Sequence, residues 1–248
     1  MRTVALIPAR LQSTRLPNKV LADICGLPMI MHVYKRCRLA RRLDDVYVAT
    51  DSPEIRDVVH AHGGKTLMTA SHHETGTDRI AEAARNLDAE VVVNVQGDEA
   101  LVNPHHVDSV VSALHENPAI NVAILVNPFF KRNSPSDIKA VLNEAGDVMY
   151  FSRTDIPSDA RTSNPPLLKA YHIVPFRREF LLQYAGWDKG ALERIEYNEY
   201  LRILEKGYRM RAVKVESDAV SVDTPDDLTY VRAKMATDAF FPRYRPGP

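Results

Sequence analysis

The sequence predicts an α/β protein with a mostly parallel central sheet, helices on both faces and a small antiparallel insertion. Three observations lead there. Apolar runs at Val4–Ile7, Val46–Ala49 and Val91–Val95 are continuous rather than alternating, the pattern of strands covered on both faces. Helical patterns fill the stretches between them, and strands alternating with helices build parallel sheets. Polar clusters follow the strand ends at Arg10–Lys19, Thr50-Asp51 and Gln96-Gly97-Asp98-Glu99, where open sheets of this kind bind their ligands.

Val4–Ile7 is the first strand, and it breaks at Pro8 into a polar loop. Ile30, Val33, Cys37 and Ala40 share one face of the first helix. Val46–Ala49 is the second strand. Ser52 then caps a helix that has Pro53 at its first position. Thr77-Asp78-Arg79-Ile80 leads into a third helix, ahead of the strand Val91–Val95. From about Ile120 the texture changes. Ile120–Val126 reads as a strand, and Lys139–Asn143 and Val148–Ser152 flank the hairpin turn Glu144-Ala145-Gly146-Asp147. Asp155–Pro166, rich in Pro, Ser and Asp, reads as a mobile loop. Ala170–Phe176 is strand-like, and Leu192, Ile195, Glu199 and Ile203 are expected on one face of a late helix. Val220-Ser221-Val222 reads as a last short strand before a helix capped by Thr224, with Pro225 and two acids in its first turn. No internal repeat and no composition break divides the 248 residues, so one domain is expected.

Composition removes several functions. Lys+Arg and Asp+Glu both number 32, so no global field favours nucleic acid and any anion site must be local. Cys25 and Cys37 lack the spacing of a disulfide framework or a structural zinc site. No segment reads as a secretory signal, and none approaches the ~20 apolar residues of a membrane span. A cytoplasmic protein without membrane or nucleic-acid partners is expected.

The loop after the first strand holds Arg10, Ser13, Thr14, Arg15 and Lys19, with no acid among them. Three cations and two hydroxyls suit a polyanion, and a nucleoside triphosphate is the natural one. Nucleotidyl transfer needs charge neutralised on the departing pyrophosphate and on the α-phosphoryl oxygens, which Arg10, Arg15 and Lys19 can do while Ser13 and Thr14 donate neutral hydrogen bonds. The loop contains no glycine and so matches neither common phosphate fingerprint. Asp98, after the most apolar strand, and Asp223, after the last, are candidate Mg²⁺ carboxylates, since Mg²⁺ takes one or two carboxylates plus phosphate oxygens and water. Each alone also reads as a turn or helix-start acid. His72-His73-Glu74-Thr75-Gly76-Thr77-Asp78-Arg79 lacks helical histidine spacing for a metal; it reads better as a base-recognition loop with Arg79 as donor. Glu193, Glu196 and Glu199 read either as a solvated stripe partnered by Arg194 and Arg202 or as the source of an acceptor-facing carboxylate.

These residues resemble a specific family. Ile7-Pro8-Ala9-Arg10-x-x-Ser13-Thr14-Arg15-Leu16-Pro17-x-Lys19 is similar to the opening of the CMP-KDO synthetases, the 3-deoxy-manno-octulosonate cytidylyltransferases. The likeness continues through Gly26-x-Pro28-Met29-Ile30, Val48-Ala49-Thr50-Asp51, Gly76–Arg79, Asn94–Glu99, Tyr150–Arg153 with Ile156-Pro157, and Val222–Leu228. It implies a GT-A-like nucleotidyltransferase fold, CTP as donor, Mg²⁺ as cofactor and a homodimer. Carried over position by position, Arg10, Ser13, Thr14, Arg15 and Lys19 would bind the CTP phosphates. Gln96 and Arg79 would face the cytosine or ribose, and Asp98 and Asp223 would hold Mg²⁺. Residues of about 1–125 then form the CTP-binding half, about 126–220 the acceptor and dimerisation subregion, and 221–248 the closing segment.

The acceptor side departs from the family. Where the family carries a His-x-Gly-x-Tyr-Gly-Tyr-Arg run, this chain has Ala170–Arg177, with Ala170 at the histidine and Val174 at a tyrosine. On the late helix Tyr200 replaces a glutamine. The acceptor is therefore read as KDO, a related 2-keto sugar acid, or a phosphonate or phosphonocarboxylate. Lys169, His172, Arg177, Glu196 and Tyr200 are the candidate contacts. Competing readings are a nucleoside-diphosphate-sugar pyrophosphorylase using another triphosphate and a non-catalytic nucleotide-binding module.

Overall fold

The computed structural model describes residues 1–12, 16–217 and 220–245. In chain order its elements are β1 (Thr3–Ala9), a 3-10 turn (Lys19–Leu21), β2 (Asp23–Ile24), β3 (Leu27–Pro28), α1 (Met29–Cys37), β4 (Asp45–Thr50), α2 (Pro53–Ala61), β5 (Thr66–Met68), α3 (Gly76–Ala84), β6 (Val91–Val95) and α4 (Pro104–Glu116). There follow β7 (Ala123–Phe129), β8 (Lys139–Leu142), β9 (Val148–Ser152), β10 (Leu167–Tyr171), β11 (Ile173–Arg177), α5 (Arg178–Ala185), α6 (Ala191–Glu196), α7 (Leu201–Glu205), β12 (Arg211–Lys214), α8 (Pro225–Ala236) and a last 3-10 turn (Phe241–Arg243). They form two compact units, Met1–Asp108 with Asp218–Pro248, and Ser109–Ser217, the division falling inside α4.

In the first unit the strands run parallel in the order β6-β1-β4-β5. β1 is buried along its whole length, as are all five residues of β6, which is why these runs do not alternate. Val4, Leu6, Ile7, Val46, Val48, Val91, Val92 and Val93 are each at most 1% exposed. Burial of such a side chain contributes about 1.5–3 kcal/mol. β1 has β4 on one side and β6 on the other, and open sheets of this kind bind their ligands at the carboxyl ends of the strands. Helix starts follow the sequence. Ser52 Oγ accepts from Ile55 N at 3.2 Å to begin α2, and Thr75 Oγ1 accepts from Asp78 N at 3.1 Å to begin α3.

The second unit carries a mixed sheet in the order β12-β7-β10-β8-β9. β12 pairs parallel to β7; the other pairs are antiparallel. β8 and β9 are the hairpin expected around Gly146, whose φ of +81° suits only glycine comfortably at the turn. The strand-like run Ala170–Phe176 is two strands, β10 and β11, interrupted at His172.

Two expectations are corrected. The late helix is broken into α6 and α7 because Tyr197 adopts a left-handed conformation (φ 48°) and Asn198 Oδ1 accepts from Tyr200 N at 3.1 Å, starting a new turn. Glu196 and Glu199 therefore do not share a helix face, and Ile195, expected on one face with Leu192, Glu199 and Ile203, is 72% exposed while Ile203 is fully buried. Val220–Val222 is not a strand. Instead Val222 N donates to the Asp98 carbonyl at 3.0 Å.

Candidate active site

Lys19 is presented by a tight turn. Asn18 before it is left-handed (φ 53°), and Lys19 N donates to the Leu16 carbonyl at 3.2 Å. The Lys19 ammonium donates to Asp98 Oδ2 at 2.6 Å, to Asp223 Oδ1 at 3.0 Å and to the Val222 carbonyl at 3.0 Å. Residues read separately from three distant segments thus meet at one nitrogen. Burial alone would push the ammonium toward neutrality, but the two carboxylates outweigh it, so the Lys19 pKa lies above its ordinary value. The group is a fixed cation at neutral pH.

Each carboxylate is set by its own local device. Asp98 sits in the turn Gln96–Glu99, closed by Glu99 N to the Gln96 carbonyl at 3.2 Å. A Cβ on Gly97 would lie 2.8 Å from the Pro8 carbonyl oxygen, so only glycine lets this turn close against the end of β1. Asp223 precedes α8. The Asp227 carboxylate accepts from Asp223 N at 3.1 Å and Thr224 N at 2.8 Å, while Thr224 Oγ1 accepts from Asp227 N at 3.2 Å. This capping box holds the backbone of Asp223 as it caps the helix.

The remaining donor-side candidates fall around the same strand ends. Arg10 is exposed directly after β1. Ser13, Thr14 and Arg15 lie outside the described residues. Gln96 is half-buried; its amide donates to Asn94 Oδ1 at 3.3 Å, and Asn94 Nδ2 donates to Thr77 Oγ1 at 3.0 Å. A Cβ on Gly76 would come within 3.4 Å of the Gln96 amide, so that side chain lies against the start of α3. Arg79 is buried and committed within the fold: it donates to Thr69 Oγ1 at 2.7 Å and the Ala70 carbonyl at 3.3 Å, and pairs with Asp51 at 3.0 Å. It braces the turns after β4 and β5. His73 is bonded to Glu82, and no group of three His, Cys, Asp or Glu that could hold a metal occurs among the described residues.

The acceptor candidates all belong to the second unit. Lys169 pairs with Asp137 at 2.6 Å, and the His172 ring lies 5.9 Å from that of buried Tyr200. Glu196 accepts from Ser152 Oγ at 2.9 Å and Arg153 N at 2.8 Å, tying β9 to α6. The Arg177 guanidinium is taken up by the carbonyls of Ile120, Leu114 and Asn117. Glu193, one arm of the acidic stripe, forms a buried pair with Arg202 at 2.6 Å and 2.8 Å. Sequence reasoning missed Asn94, whose signal is a polar side chain inside an otherwise apolar strand. It also missed the bond between Ser221 and Glu99, which no local pattern announces.

A parallel sheet with a fixed cation and two carboxylates at its carboxyl ends is the frame of a nucleotidyltransferase. More particularly, the chain belongs to the cytidylyltransferase family, whose model matches residues 4–215. It is similar to the 3-deoxy-manno-octulosonate cytidylyltransferase of Geobacter sulfurreducens, 41% identical over 249 residues and covering 95% of this chain and 100% of the relative. The Escherichia coli protein of the same name is 38% identical over 239 residues, covering 96% and 97%. A solved structure of CMP:2-keto-3-deoxy-manno-octonic acid synthetase complexed with CTP matches with a TM-score of 0.92 at 38% identity, over 96% of this chain and 99% of that one. A cytidylyltransferase of Leptospira borgpetersenii, with a TM-score of 0.67 at 17% identity over 96% and 88%, shares the fold. The protein is an enzyme of this family, which sets aside the sugar-nucleotide pyrophosphorylase and the non-catalytic module. No helix among the described residues is long and apolar enough to cross a membrane.

Proposed function

We propose that the enzyme transfers CMP from CTP to 3-deoxy-manno-octulosonate and releases pyrophosphate. The observation that carries this reading is the convergence of Asp98 and Asp223 on Lys19, at 2.6 Å and 3.0 Å, in a chain whose relatives at 38–41% identity are named for that reaction. The phosphonate alternative gains no support, since those relatives are named for a sugar acid.

In the reaction an acceptor oxygen forms a bond to the α-phosphorus as the bond to the pyrophosphate oxygen breaks, and pyrophosphate leaves with that electron pair. Lys19 and Arg10 supply positive charge where negative charge accumulates on the phosphates. The remaining contribution is positioning, which two backbone-anchored carboxylates and a glycine-closed turn provide. The donor set suits Mg²⁺: two carboxylates already converge on one cation, and phosphate oxygens and water would complete the coordination. Asp98 and Asp223 would hold the ion, which when bound neutralises phosphate charge.

On the acceptor side, Lys169, His172 and Glu196 keep polar groups at half-buried positions. Ala170 and Val174 are core residues at 1% and 0% exposure, so polar recognition there must come from other positions. The reading includes a homodimer. Phe130, Met149, Ile195 and Tyr197, exposed by 87%, 62%, 72% and 82% in the second unit, supply apolar surface for one.

The test is pyrophosphate release with CTP, Mg²⁺ and a panel of acceptors. Turnover with 3-deoxy-manno-octulosonate and formation of its CMP ester are expected. Turnover with a phosphonate and none with the sugar acid would overturn the assignment.

A further inference from the structure

The segment from Val220 to Asp223 delivers one of the two carboxylates, yet it belongs to no strand. Its hold on the Gln96–Glu99 turn therefore rests on individual contacts. Val222 N donates to the Asp98 carbonyl at 3.0 Å, and the Val222 carbonyl accepts from Lys19 Nζ at 3.0 Å. The Val222 side chain is fully buried in an apolar cluster with Ile24, Met29, Ala100, Leu228, Val231 and Met235. Beside it, Ser221 Oγ donates a hydrogen bond to Glu99 Oε1, and Glu99 is only 2% exposed.

Backbone bonds to Val222 fix where the segment crosses the turn but use the main chain, which every residue possesses. The Ser221–Glu99 bond is different in kind, because it names one side chain on each partner. Hydrophobic burial of Val222 is non-directional and tolerates small slides. A hydrogen bond to a buried carboxylate is directional and costly to leave unmade. Asp98 and Glu99 are adjacent in one turn, and Ser221 and Asp223 flank Val222 in the other segment. A constraint on Glu99 and Ser221 is thus a constraint on the gap between Asp98 and Asp223.

We infer that Glu99 and Ser221 are positioning residues for nucleotidyl transfer: their buried hydrogen bond registers the 220–223 segment on the Gln96–Glu99 turn and sets the spacing of the Asp98 and Asp223 carboxylates. The inference rests on the proposed reading of those two carboxylates as the metal-holding pair. Displacement of reacting groups by a fraction of an ångström up to 1 Å costs up to about a hundredfold in rate. Loss of an outer support of a metal ligand costs about 10–100-fold in metal affinity.

The experiment uses the full chain and four variants: Ser221→Ala, Ser221→Thr, Tyr47→Phe and Asp98→Asn. Tyr47→Phe removes a hydroxyl–carboxylate bond of the same kind, 2.9 Å to Asp45 at the amino end of β4. Two quantities are read: kcat and KM for CTP, and the dissociation constant of Mn²⁺ by electron paramagnetic resonance without nucleotide. For Ser221→Ala, kcat is expected to fall about 10–100-fold with the KM for CTP within about threefold, and Mn²⁺ to bind about tenfold more weakly. Ser221→Thr keeps the hydroxyl and recovers both, and Tyr47→Phe changes neither. If Ser221→Ala matches Tyr47→Phe in kcat and Mn²⁺ affinity, the inference is wrong. Asp98→Asn separates the two levels. Should it leave Mn²⁺ binding intact, the metal reading fails; should it abolish binding while Ser221→Ala does nothing, only the positioning role fails.

Discussion

Gly97→Ala probes the site through a single methyl group. The added Cβ would stand 2.8 Å from the Pro8 carbonyl oxygen, 3.3 Å from Ile30 Cδ1 and 3.7 Å from Ile7 Cγ2. Ordinary contact begins near 3.4 Å, so the turn must retreat from β1 by about 0.6 Å. Pro8 is main chain in the middle of a parallel sheet and cannot rotate away, so the shift falls on the turn that carries Asp98. Overpacking of this kind costs about 1–3 kcal/mol, which lowers Tm by about 2–12 °C for a chain of this size. The larger effect is on chemistry: moving Asp98 relative to Lys19 and Asp223 is expected to lower kcat about 10–100-fold. Pyrophosphate release measures kcat, and a thermal melt measures Tm on the same preparation. Gly186→Ala is the control. Its Cβ meets only the Gln183 carbonyl at 3.4 Å, so turnover stays at the wild-type value and stability rises by about 0.4–1 kcal/mol. Wild-type kcat in Gly97→Ala, whatever its Tm, would refute the claim that the turn's closure on β1 sets Asp98.

Other substitutions address separate parts of the account. Lys19→Met removes the cation between the two carboxylates, and kcat for pyrophosphate release should drop about 100–1,000-fold; a loss under threefold would dismiss Lys19 from the site. Arg202→Met strands Glu193, 5% exposed, without its partner, and chemical denaturation should register a loss of about 3–5 kcal/mol. His32 is fully buried, with Nε2 2.7 Å from the Ile24 carbonyl and Nδ1 3.0 Å from the Tyr244 hydroxyl. Because a carbonyl only accepts, the neutral ring donates from Nε2 and accepts the Tyr244 proton at Nδ1. Burial foremost lowers its pKa from 6.5 to about 4. Between those values the unfolded chain binds a proton that the folded one refuses, so His32 contributes a loss of stability as pH falls from 6.5 toward 4. Denaturation of His32→Gln should show a shallower decline over that window than wild type; parallel curves would contradict the neutral ring.

Much of the donor half could be read from sequence because its signals are local. The continuous apolar runs marked β1, β4 and β6, and Ser52 and Thr224-Pro225 marked helix starts that the side-chain caps bear out, whereas Thr77-Asp78 marked the start of α3 two residues past its cap at Thr75. Lys19 and Asp98 stood out by charge and by position after strands, and Asp223 by its charge just ahead of the capped helix. Their meeting at one nitrogen was not legible, since it depends on strand order. Arg79 read as a base-recognition donor because sequence does not show that Asp51 and Thr69 fold onto it. Short strands such as β5 and β12 carry too few residues for periodicity and exist through their neighbours. The late helix failed for a sharper reason. Leu192, Ile195, Glu199 and Ile203 have helical spacing, but the left-handed Tyr197 and the side chain of Asn198 override it. The acceptor residues are the least legible, because Arg177 spends its guanidinium on main-chain carbonyls and Glu196 its carboxylate on Ser152 Oγ and Arg153 N, partners that only the fold reveals.

The most direct test of the central claim is a crystal structure with CTP and Mg²⁺ bound. The triphosphate is expected within hydrogen-bonding distance of Lys19 Nζ, with density for a cation on the Asp98 and Asp223 carboxylates. A triphosphate bound elsewhere, with Lys19 still clasped between the two acids, would contradict it.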